Sequence, residues 1–131
     1  MQGVRAYITD SSDGLAKAVT DAVPMRAKGW PTVGFKKGTV TDTAQTLETI
    51  MSAAPPTTAI LAVIYVMDFP IRYVPNSVTI SVVPTTDLGI VVNAGYSDVI
   101  DCYVDLLNAK FFRDGGNDAT MQVLYKGGAT I

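Results

Sequence analysis

The chain has 131 residues, the size of a single domain, and 48% of them are hydrophobic, enough for a sizeable core. Ten Lys+Arg against twelve Asp+Glu leave a formal net charge of −2, with no histidine and one cysteine, Cys102. Disordered, collagen-like and coiled-coil classes are excluded, as are imidazole-activated Ser or Cys nucleophiles, a structural zinc site and an intrachain disulfide.

In chain order, Val4, Ala6 and Ile8 alternate with polar residues as in a half-buried strand. Asp10, Ser11, Ser12, Asp13 and Gly14 break that pattern and offer N-cap side chains to a short helix over 15–22, which Pro24 stops. The glycine-rich stretch 26–40 holds one short strand. A second helix is predicted over 42–54, capped by Asp42, with Gln45 at the capping-box offset and Leu47, Ile50, Met51 and Ala54 as its apolar stripe. Residues 59–67 form an unbroken apolar run rich in β-branched side chains, the pattern of a strand buried on both faces. That run is about half the length a bilayer span needs, so no membrane partner is expected.

Pro70 and Pro75 isolate a short segment, 71–74. Val78, Ile80 and Val82 alternate with Thr79 and Ser81 and predict another strand; 88–92 suggests a further one. A third helix is predicted from Ser97 to Phe112, with Ile100, Tyr103, Val104, Leu107 and Phe111 on its apolar face, Cys102 as a small buried residue, and Gly115 and Gly116 ending it. Ala119, Met121, Val123 and Tyr125 alternate in a last strand. The expected fold is α+β: one globular domain over 1–131, a single mixed sheet of five to seven strands with three helices packed on it.

Three stretches invite a functional reading. The loop 10–14 lies between a strand and a helix, where backbone N–H groups favour an anion, and Asp10 and Asp13 would suit Mg²⁺ bridging to a phosphate. No nucleotide fingerprint accompanies it, so a capped turn is the simpler account. Arg26, Lys28, Lys36 and Lys37 surround Trp30 and Phe35, a combination that can contact nucleic acid through charge and stacking; an exposed basic loop is the commoner outcome. Asp98, Asp101 and Asp105 are spaced to lie along one side of the predicted third helix, as a carboxylate cluster or simply its solvent face.

The sharpest feature is positional. Only Asp68, Arg72 and Asp87 are charged among the 49 residues from Thr49 to Ser97, where average usage gives about 12. A β-rich, weakly charged surface invites edge pairing and is usually covered, often by another subunit. The flanks have opposite signs, positive over 26–37 and negative over 98–105; if those patches lie on opposite sides, neighbouring copies could meet head to tail in rings or open stacks. In general character the chain resembles phage capsid-decoration, connector and tail-terminator subunits. The sequence therefore reads as a non-enzymatic structural protein acting by self-assembly, intracellular and soluble or part of a virion, without cofactor or metal. Its partners are expected to be copies of itself or other structural subunits. The expected interface residues are Ile80, Val82, Tyr73, Lys36, Lys37, Asp98, Asp101 and Asp105. The alternative is a small-ligand-binding or Mg²⁺-dependent α/β domain using the loop 10–14.

Overall fold

The computed structural model describes residues 30–128. The strands and helices of the described residues all lie within Pro31–Ile131. The first strand and first helix read from the sequence, the loop 10–14, Arg26 and Lys28 lie outside the described residues.

The described residues form two four-stranded sheets. Sheet I has the order β1 (Thr32–Val40), β8 (Ala119–Gly127), β3 (Ala59–Val66), β6 (Ser97–Ile100). Sheet II has the order β2 (Gln45–Thr46), β7 (Lys110–Arg113), β4 (Ile71–Val74), β5 (Ile90–Val92). Every neighbouring pair is antiparallel. Three short helices, α1 (Leu47–Met51), α2 (Ser77–Ile80) and α3 (Tyr103–Asn108), interrupt the strands.

The core follows from period-2 patterning. In β8, Ala119, Met121, Val123, Tyr125 and Gly127 are buried while the residues between them are half-buried. Val123 lies opposite Ile64 and Met121 opposite Val66, both buried on β3. From sheet II, Tyr73 on β4 faces Phe111 on β7, their rings stacked at 5.4 Å. These side chains belong to one cluster with Leu47, Ile50 and Met51 of α1 and Leu106 of α3. The cluster therefore joins both sheets.

The predicted single mixed sheet with three packed helices is not what forms. The fold is mostly β, in two antiparallel sheets with short helices. The reason lies in where the apolar patterns find partners. The third predicted helix breaks into β6, α3 and β7. Ile100 reaches the core by lying opposite Ala62, and Phe111 by lying opposite Tyr73, whereas Val104 of the supposed apolar face is half exposed. The second predicted helix keeps a single turn. Gln45 and Thr46 pair with β7, Asp42 stays exposed, and Ser52 closes α1 in the left-handed region at φ 59°. The predicted strand at 78–82 is instead α2 and a bend. Asn76 and Ser81 bracket it at φ 54° and 58°, and the buried Ser77 hydroxyl donates to the Val82 carbonyl while Val82 N–H returns to Ser77 O. Such local side-chain bonds compete with sheet ladders. Cys102, expected buried on a helix, is exposed beside α3.

The crossing from sheet I to sheet II is held by Asp68. Its carboxylate accepts Thr120 N–H at 2.7 Å, Phe69 N–H at 2.9 Å and the Thr120 hydroxyl at 3.1 Å. The Thr120 backbone bond is the main cause holding this carboxyl below its ordinary 3.8. A depressed folded-state pKa stabilises the fold above the unfolded value and ceases to do so as pH falls through the lower, folded one. Melting temperature should therefore drop on acidification below 3.8, and Asp68→Asn should flatten that drop in a thermal-denaturation series across pH.

Gly38 on β1 allows α1 to approach the sheet. A Cβ there would overlap the Ile50 carbonyl oxygen, a backbone atom that cannot swing away, and would stand 2.7 Å from Ile50 Cγ2. Gly38→Ala should lower stability by about 1–3 kcal/mol, the usual cost of overpacking, read from urea unfolding by a shift in midpoint.

Candidate functional site

The two edges of sheet I carry the features that the sequence singled out. β1 is one edge and β6 the other, and among the described residues no strand pairs with the outer side of either. Lys36 and Lys37 are exposed on β1; Asp98 lies half-buried on β6, followed by the exposed Asp101. The opposite charges thus occupy opposite edges of one sheet.

Register places the side chains on faces. Opposite residues in an antiparallel pair share a face, so Phe35, Leu124, Val63 and Val99 form one row across all four strands. This row lies on the face away from the core, and its ends are open: Phe35 is 59% exposed and Val99 51%. The next row, Lys36, Val123, Ile64 and Asp98, lies on the core face. Lys36 and Lys37 therefore project to opposite faces of β1, and Phe35 shares a face with Lys37 only. With Arg26 and Lys28 outside the described residues, the described part of the basic stretch is not one patch.

Asp98 is tied down at both oxygens. Oδ2 accepts the Tyr73 hydroxyl at 2.5 Å and Oδ1 accepts Val99 N–H at 2.9 Å. The first bond spans from sheet II to the edge of sheet I. Burial first, then the Asp98 hydrogen bond and charge, push the Tyr73 phenol well above its ordinary 10.0, so it stays a donor. The second bond occupies a backbone donor of an edge strand.

The remaining expected interface residues scatter. Tyr73 is 2% exposed and part of the core, so its own chain already covers it. Ile80 on α2 is 53% exposed, and Val82 is half-buried. Asp105 lies on α3, half-buried, its carbonyl accepting Asn76 N–H at 3.4 Å. The common helix side expected for Asp98, Asp101 and Asp105 does not exist, because the three fall on a strand, a connection and a short helix. No group of three or more His, Cys, Asp or Glu suited to a metal occurs among the described residues.

Among the described residues thirteen large apolar side chains are exposed, and ten belong to the charge-poor segment: Tyr65, Met67, Phe69, Val78, Ile80, Val83, Leu88, Ile90, Val91 and Tyr96. Two of that segment's three charges are engaged inside the chain. Arg72 pairs with Asp114, and Asp68 holds Thr120. The sequence pointed to Phe35 only as a stacking residue and to 88–92 only as a strand, and it did not single out Val99; that these apolar side chains face outward depends on strand order and register. Among the described residues, no helix is long and apolar enough to cross a membrane. Comparison with known proteins found no match to a family model, a curated protein or a solved structure.

Tyr73→Phe deletes the donor to Asp98 and leaves the ring stack in place. Stability should fall by roughly 1.5 kcal/mol or more, as for hydrogen bonds to charged groups. A midpoint unchanged in urea unfolding would show that the bond contributes nothing.

Proposed function

We propose that the protein is a non-catalytic structural subunit that works by self-assembly. The observation that carries this reading is the concentration of exposed apolar side chains in the charge-poor segment, ten of the thirteen among the described residues. Monomeric soluble proteins rarely leave large apolar patches open, and partner subunits are their usual cover. Within 78–91 alone, Val78, Ile80, Val83, Leu88, Ile90 and Val91 are exposed, on a short helix, its following loop and the edge strand β5. Asp87 is the only charge in that stretch.

A virion component, as the compositional likeness to phage capsid-decoration, connector and tail-terminator subunits suggests, fits this reading. Such a subunit needs complementary surfaces and a stable core, and it needs no reacting group. The Mg²⁺-dependent alternative gains no support from the described residues, since its loop lies outside them.

Sedimentation velocity of the full chain over a hundredfold concentration range tests the reading. The expected result is a weight-average mass that rises with concentration to a multiple of 13.9 kDa. Ile80→Lys and Leu88→Lys together should shift that rise to higher concentration without altering the melting temperature by more than a few degrees. A strictly monomeric species throughout would overturn the proposal.

A further inference from the structure

Resting on the self-assembly reading, we infer that copies of this chain join edge to edge through sheet I. The outer side of β6 in one copy pairs antiparallel with the outer side of β1 in the next. The register sets Val99 opposite Phe35 and Asp98 opposite Lys36. The occupant of each edge is therefore a second copy of the same protein.

Strand direction permits this. Among the described residues sheet I has four strands, all antiparallel. With an even number, the two edge strands run in opposite directions. A copy carried sideways along the sheet brings β1 against β6 antiparallel, and the alternation continues unbroken.

Hydrogen-bond phase permits it as well. Val66 N–H bonds Tyr96 O and Gly95 N–H bonds Val66 O, so the even-numbered residues of β3 face β6. Met67 N–H bonds Thr120 O, so the odd-numbered ones face β8. Carried across the sheet by the pairing register, this alternation points the backbone groups of Phe35 and Lys37 outward from β1. It points those of Ser97 and Val99 outward from β6. The Val99 N–H bond to the Asp98 carboxylate agrees with that direction. Val99 with Phe35, and Ser97 with Lys37, then become hydrogen-bonded pairs of the junction.

Charge chooses the register. Moving the partner by two residues either way keeps the hydrogen-bond phase, but sets Asp98 opposite Gly34 or Gly38. Only the in-row register sets it opposite Lys36, in a non-hydrogen-bonded pair, where facing side chains come closest. The same register extends the outer apolar row from Val99 to Phe35 of the next copy. On forming the junction, Val99 N–H passes from its own Asp98 to the Phe35 carbonyl of the neighbour. Asp98 Oδ1 is thereby released toward the Lys36 ammonium, while Oδ2 stays on Tyr73. In the separate chain, Asp98 covers the edge donor that would otherwise pair with any strand. The contact is heterologous, so each added copy leaves one β1 edge and one β6 edge open, and growth ends in a ring or continues as a filament.

Cysteine crosslinking of the full chain tests this, in a Cys102→Ser background so that the one native thiol is absent. Phe35→Cys and Val99→Cys are made separately, both at exposed edge positions, one of them carrying a mass tag. Opposed residues of a hydrogen-bonded pair have Cα atoms about 5.5 Å apart, within disulfide reach. The expected result is disulfide heterodimer when the two variants are mixed and oxidised, at least tenfold over either homodimer. The double variant should give a ladder of covalent multimers. Lys36→Glu should weaken association severalfold in sedimentation, with an unchanged melting temperature. Homodimers alone, or no crosslink in a protein that sediments as an oligomer, would overturn the edge junction and leave self-assembly standing. No crosslink in a strict monomer would overturn both.

Discussion

The ladder between β3 and β8 is the constraint on which the rest depends. Two strands far apart in sequence lie side by side at the centre of sheet I, Ile64 against Val123 and Val66 against Met121. Their alternation sends one set of side chains into the shared core and the other outward. β1 and β6 flank that pair on its two sides and so form the edges of the sheet. Sheet II then closes the core with the stacked Tyr73 and Phe111.

From this arrangement comes the surface. β3 is apolar throughout, yet only its inner face is fully covered: Ala62, Ile64 and Val66 are buried, Val63 half-buried and Tyr65 exposed. The charge-poor segment is thus partly core and partly open surface. Two of its three charges are engaged within the fold, Arg72 on Asp114 and Asp68 across the crossing between sheets. In the assembly proposed above, this apolar surface is what a second copy would remove from water. In that same proposal the opposite charges at the two edges supply direction, since complementary charge fixes register and suppresses wrong pairings.

Several elements were legible in the sequence. The apolar runs at 59–67 and 119–125 form strands close to the expected bounds, because strong alternation or a dense β-branched run leaves few other solutions. The isolated segment at 71–74 and the apolar stretch ending at Val92 also form strands. The misread elements share one cause. At 97–112 apolar residues fall at spacings that suit a helix, and their burial is met instead by two strands, since β3 and β4 offered open sides. Residues 78–82 alternate like a strand, but left-handed Asn76 and Ser81 and the Ser77 bond to Val82 fold them into one turn. Of the expected interface residues, Tyr73 lies in the core, its ring packed on Phe111 and its hydroxyl satisfied by the Asp98 carboxylate.

Composition and order along the chain determined that no imidazole chemistry or disulfide framework exists here. They also determined that charge is missing from one contiguous segment, with positive and negative flanks. These are facts of the covalent chain and need no fold. Which of those residues face water, and that Lys36 and Asp98 share a row at opposite edges of one sheet, was decided by tertiary structure alone. Strand order depends on pairings between segments far apart in sequence, and a local pattern records which face is apolar but not which strand will lie beside it.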